Sequence, residues 1–137
     1  MVTPPPTAGK PSSPAPTAPR LRLTSVEQQK FVGNEQYAEI RLLRIVVTPE
    51  NAEPPEPEQV ALRVTFYERD PATGRLRAGP PLVNRGVGSW ESLQPRQFTA
   101  SYFSPRRGDG WLFYGYRVEL SYAGRPQAVV SRPLDLP

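Results

Sequence analysis

The sequence predicts an all-β fold, an antiparallel sandwich of about seven strands over residues 20–137, entered through a proline-rich segment without fixed structure over residues 1–19. Three observations predict it. Seven of the 19 prolines fall in that first segment, at Pro4, Pro5, Pro6, Pro11, Pro14, Pro16 and Pro19, spaced by Ala, Thr, Ser and Gly. Such a composition buries too little apolar surface to offset the entropy of ordering it. Beyond it, apolar and polar residues alternate with the period of two that turns one face of a strand towards a core. Turn-forming Gly, Pro, Asn and Asp separate these runs at short intervals, and no run carries a convincing helical period.

Leu21, Leu23 and Val26 open the first strand, against Arg22 and Thr24. In residues 37–47, Ala38, Ile40 and Leu42 share one face; the phase then slips and Ile45 and Val47 share the next, which predicts a β-bulge inside the strand. Residues 48–59 interleave Pro49, Pro54, Pro55 and Pro57 with Glu50, Glu53, Glu56 and Glu58, and read as a mobile acidic loop. Val60, Leu62, Val64 and Phe66 then alternate with Ala61, Arg63, Thr65 and Tyr67 as a half-buried strand. Asp70-Pro71-Ala72-Thr73-Gly74 spells a turn, the glycine able to take a positive φ and to start a returning strand over residues 75–78.

Residues 79–94, with Pro80, Pro81, Gly86 and Gly88, wander across the domain with a short edge strand around Leu82 and Val83. Phe98, Ala100 and Tyr102 alternate with Thr99, Ser101 and Phe103, and two semi-apolar faces place this strand in mid-sheet. The most regular run sets Tyr114, Tyr116, Val118, Leu120 and Tyr122 on one face and Gly115, Arg117, Glu119 and Ser121 on the other, solvated one. Ala123-Gly124 makes a two-residue hairpin turn to a last strand over residues 127–131, which Pro133 ends.

This pattern resembles immunoglobulin-like and fibronectin type III-like modules over residues 20–137. The residues that carry the resemblance are the tyrosine-rich penultimate strand over residues 112–122, its hairpin to the last strand, and Leu93-Gln94-Pro95 ahead of a strand. No cysteine pair is present, and Trp90 and Trp111 both fall near loop ends. The resemblance implies a scaffold for adhesion, spacing or assembly, often on a cell surface or in an envelope complex; it transfers no site residues.

Composition bounds the chemistry. With no His and no Cys, the chain lacks the side chains that most often serve as general bases, metal ligands and thiol nucleophiles near neutral pH. A serine nucleophile would have only Lys10 or Lys30 as base, and no Gly-x-Ser-x-Gly elbow exists. Glu68, Asp70, Glu91 and Glu119 are the carboxylates from which a glycosidase pair would be drawn, yet Asp70 is explained by its turn and Glu119 by its strand face beside Arg117. The expectation is a chain that is not an enzyme and uses no cofactor.

Cationic residues outnumber acidic ones by 17 to 13, and 15 of them are Arg. Outside the acidic run at residues 50–58, 17 cationic residues face 9 acidic ones. Arginine suits carboxylate, phosphate and aromatic partners, but alternating arginines on strands serve more simply as a solvated face. No stretch approaches the roughly 18 apolar residues of a membrane span, and Met1-Val2-Thr3 runs straight into prolines. No membrane insertion is therefore expected of the chain as given. A proline-rich tether before a module fits an extracytoplasmic or cell-surface placement if an upstream signal was removed.

Six residues are candidates for contact with a ligand or partner: Trp90, Trp111, Tyr67, Tyr102, Arg106 and Arg107. The aromatics, interleaved with arginine, would stack on sugar rings in a carbohydrate-binding sandwich or on bases in a single-strand-binding barrel. The plainer account is that large aromatics fill a core or cover its ends. Arg107-Gly108-Asp109 spells an integrin-type tripeptide in a loop, where Arg106 to Gly110 also reads as an ordinary polar turn. Pro11-Ser12-Ser13-Pro14 and Pro16-Thr17-Ala18-Pro19 fit the spacing that proline-binding grooves read, without well-placed flanking arginines. The favoured partner is another protein or the same protein in an assembly; a polysaccharide is the alternative, and single-stranded nucleic acid the third, disfavoured by the acidic run.

Overall fold

The computed structural model describes residues 20–50, 54–86, 88–90, 94–106 and 108–136; the expected linker over residues 1–19 lies outside the described residues. Within them lie two antiparallel sheets. The first is β1 (Leu21–Val32), β2 (Tyr37–Pro49) and β6 (Arg96–Pro105), in the order β1-β2-β6. The second is β3 (Val60–Arg69), β4 (Leu76–Ala78), β5 (Leu82–Arg85), β7 (Leu112–Tyr122) and β8 (Arg125–Arg132), in the order β4-β3-β7-β8, with β5 also paired to β3. The expected count of about seven strands becomes eight among the described residues, because the chain after the turn at residues 70–74 pairs with β3 twice.

The core forms where the period-two faces of the two sheets meet. Leu43, Ile45 and Val47 of β2 pack against Val60, Leu62 and Val64 of β3 and Val118 and Leu120 of β7, all fully buried. Each such side chain contributes about 1.5–3 kcal/mol through removal from water. Two turns position the strands. The Gly74 N–H donates to the Asp70 carbonyl at 2.7 Å with φ at 77°, and Ala123 and Gly124 take φ of 50° and 80°, the two positive values that match a tight hairpin to strand twist.

Five expectations are corrected. The expected phase slip between Leu42 and Ile45 is absent: β2 has its irregularity at Ala38 instead, and its register with β6 is unbroken from Glu39 to Val47, so Ile40 and Leu42 face outwards while Leu43, Ile45 and Val47 face the core. Further bulges lie at Thr24, skipped in the β1–β2 ladder, at Tyr114, skipped opposite Tyr67 and Glu68, and at Gln127, skipped in the β7–β8 ladder. Skipping Tyr114 reverses the phase, so Phe113 packs against the core in its place. Strand β6 is an edge strand and not a central one, since it pairs only with β2, and the apolar residue on its second face, Phe103, is 48% exposed instead of buried.

The acidic segment is also tied down wherever it is described. Glu50 pairs with Arg22 at 3.1 Å, Pro55 is buried, the Tyr122 hydroxyl accepts the Glu56 N–H at 3.1 Å, and Pro57–Gln59 forms a single 3-10 turn. Finally, Arg117 does not merely solvate a strand face: its guanidinium donates to the Ser131 hydroxyl at 3.2 Å and to the Leu136 carbonyl at 3.1 Å. The residues after β8 thereby close over the outer side of β3 and β7. A Cβ on Gly115 would stand 2.1 Å from the Arg132 carbonyl oxygen, so only glycine allows this approach. Leu136 is buried, and Thr65 and Tyr67 are buried although they sit on the face away from the core.

Candidate functional site

One end of the sandwich is closed by aromatic rings and then by charge. Phe66, Tyr102 and Phe113 stack with centroid separations of 5.4, 6.2 and 5.0 Å, so side chains of β3, β6 and β7 meet between the sheets. The Tyr102 hydroxyl, carried on β6, donates across to Glu68 Oε2 of β3 at 2.6 Å. Arg77 of β4 donates to Glu68 Oε1 at 2.8 Å and to Asp109 Oδ2 at 2.7 Å, and its guanidinium lies 4.3 Å from the Trp111 ring centre. Asp109 also accepts the Trp111 N–H at 3.2 Å. Glu68, Arg77, Asp109 and Trp111 line an open cleft of about 540 Å³ whose rim includes Arg106.

The electrostatics follow from this geometry. Burial, then the hydrogen bond to Glu68, raises the Tyr102 phenol far above its ordinary value of 10.0. The Arg77 hydrogen bond holds the Asp109 carboxyl below its usual range, and Asp109 and Glu68 in turn raise the Arg77 guanidinium. One cation between two carboxylates binds the loop before β7 to β4 and to β3. Both carboxylates are occupied by the same arginine, so the arrangement is a strut across the mouth of the sandwich.

Of the six expected contact residues, this cleft gathers Trp111 and Arg106, while Tyr102 reaches only its Glu68 wall from behind. Trp111 is half-buried with Arg77 against its ring, and Tyr102 is buried. Arg106 is exposed, but its Nε donates to the Asn34 carbonyl and its N–H to the Gln36 carbonyl, pinning it to the β1–β2 turn. Trp90 lies in the core cluster, 6% exposed, its Nε1–H donated to the Gln94 carbonyl at 2.7 Å. Tyr67 is buried on the far side of β3, with Arg117 5.9 Å from its ring centre. Arg107 lies outside the described residues, as does Glu91. In the tripeptide, Asp109 is engaged by Arg77, and at residue 70 both carboxylate oxygens serve the turn, accepting from the Ala72 N–H and the Thr73 hydroxyl.

A second feature was not legible in the sequence. On the outer side of β1-β2-β6, Phe31, Ile40 and Phe103 stand opposite one another in register, an apolar row crossing all three strands. Phe31 is 39% exposed, and the Tyr37 ring packs on Phe103 at 4.9 Å. The next rows are Gln29, Leu42 and Ser101; Glu27, Arg44 and Thr99; and Ser25, Val46 and Gln97. Glu27 and Arg44 are the only charges in these four rows. The run carrying Phe31 has no apolar alternation of its own, so only the pairing of three distant segments reveals the patch.

Among the described residues no helix is long and apolar enough to cross a membrane. Comparison with protein-family models, with curated proteins and with solved structures finds no match. Fold and surface together define an all-β antiparallel sandwich with an apolar row on one outer sheet face.

Proposed function

We propose that this chain is an immunoglobulin-type module that acts as a non-catalytic protein-interaction or assembly domain. The connectivity supports the type: β1, β2 and β6 in one layer against β3, β7 and β8 in the other, with β4 and β5 beside β3, follows the Greek-key order of such modules. The observation that carries the function is the outer face of β1-β2-β6. Five of the twelve residues in its four rows are aromatic or aliphatic, and two of them, Phe31 and Phe103, stand 39% and 48% exposed. That combination marks the centre of a protein interface more than ordinary surface.

The sugar and nucleic-acid readings draw less support. Stacking platforms need open ring faces, whereas Trp90, Tyr67 and Tyr102 are buried and Arg77 lies against the Trp111 ring. The test is retention of a partner from native lysate by immobilised wild type, compared with the double variant Phe31→Glu, Phe103→Glu. A specific partner held by the first and lost by the second is expected. Equal retention by both, or tighter binding to a polysaccharide column that depends on Trp111, would overturn the reading.

A further inference from the structure

The geometry points to the identity of the partner on that face: a second copy of this chain, related by a twofold axis running along the seam between β1 and β2. This rests on the reading of the chain as an interaction module and names what it binds. Charge complementarity carries it. Glu27 and Arg44 are cross-strand neighbours on the face, both exposed, and neither forms an ion pair among the described residues. A twofold axis along their seam lays β1 of each copy over β2 of the other, row upon row. Glu27 of each copy then meets Arg44 of the other, and Phe31 meets Ile40, with Phe103 flanking the aromatic row.

An axis above β2 would instead set Arg44 against Arg44, which like-charge repulsion opposes. The seam axis also keeps the strands of the two copies aligned, the ordinary geometry of face-to-face sheets. With the axis on that seam β1 and β2 of the two copies overlap and β6 overhangs; two strands about 4.8 Å apart and about ten residues long, at about 3.3 Å per residue, offer about 320 Å² per copy. Two such faces bury about 630 Å², below the roughly 1,000 Å² of a stable specific contact, so the dimer is weak and reversible.

Sedimentation velocity on the full chain, from about 10 μM to about 1 mM at low salt, reads the association directly. The wild type is expected to rise towards dimer mass across that range. Glu27→Arg alone gives a face with two positive charges and Arg44→Glu alone one with two negative charges, and each is expected to stay monomeric. Mixing the two variants in equal amounts should recover a dimer, because the positive face now meets the negative one. The doubly exchanged chain, Glu27→Arg with Arg44→Glu, should associate like wild type.

A wild type that stays monomeric at about 1 mM, single variants that still dimerise, or a mixture that fails to recover association would each overturn the proposal. The broader reading fails separately. A monomeric wild type that still holds a lysate partner through Phe31 and Phe103 overturns self-association and leaves an interaction module; one that holds nothing overturns both.

Discussion

On the outer side of β3 and β7, Thr65 and Tyr67 are buried beneath the chain's own C-terminal residues, whereas on the outer side of β1, β2 and β6 Phe31 and Phe103 stand 39% and 48% exposed. The first face is covered at one end only, since Val83 of β5 and Val129 of β8 on the same side stand 54% and 57% exposed. Its cover is held by hydrogen bonds from Arg117 and by the burial of Leu136, while the apolar face has no part of the described chain across it. Outward apolar residues alone do not recruit the chain's own segments; connectivity does, since β8 ends beside Gly115 and delivers the following residues onto that face. Substitutions on the covered face should therefore cost stability, and substitutions on the open face should cost association.

The largest effect belongs to the layer that both faces share. Leu120→Asp buries an unpaired carboxylate between the sheets and should cost more than about 4 kcal/mol, enough to unfold a typical domain, visible as loss of near-ultraviolet dichroism. A folded variant would show that the β7 register is wrong. Next comes the cover itself. Leu136→Ala should cost about 2 kcal/mol in urea denaturation, and Arg117→Ser about 1 kcal/mol. Because both act on the same segment, the double variant should lose less than the two losses combined. If Leu136→Ala is neutral, the covered face behaves like the open one and the contrast between them collapses.

Tyr102→Phe removes the hydroxyl that reaches from β6 to Glu68 and should cost about 1 kcal/mol near neutral pH. Its pH dependence gives a sharper signature. The folded-state phenol is held above its ordinary value of 10.0, so its contribution is fully present below that pH and is lost as pH rises towards the folded value. The melting temperature of wild type should fall above pH 10, and that of Tyr102→Phe should fall less steeply. Part of the decline survives in the variant, since burial also raises Tyr116. Identical alkaline slopes would remove Tyr102 from the account.

The smallest expected effect is on the open face. Phe103→Ser should change stability by no more than about 0.5 kcal/mol, because the side chain gives up little burial within one copy. A loss of about 2 kcal/mol in a dilute, monomeric sample would mean that the row supports the fold itself, and the contrast with the covered face would narrow.

Most of the strand pattern was legible in the sequence because a half-buried strand records its environment in alternate residues. Val60, Leu62, Val64 and Phe66 announced β3; Val118 and Leu120 announced β7; Gly74 and Ala123-Gly124 announced their turns by the φ values those turns require. What the sequence misplaced shares one cause. Ile40 and Leu42 suggested a slip in β2, and Phe103 suggested a central strand, because local alternation treats every apolar residue as inward. These side chains instead line up on an outer face, a fact that depends on pairing among segments some sixty residues apart.

The sequence by itself therefore determined the all-β class, the core-facing residues of β3 and β7 and their turns, since each is set by chain geometry over a few neighbouring residues. Only the tertiary structure decided that Arg77 would join Glu68 to Asp109, that Arg117 would hold the C-terminus, and that Phe31, Ile40 and Phe103 would form one row. Those outcomes depend on register and on which sheet each strand enters. Both are fixed by the packing of the whole core, and no local stretch of sequence carries that information.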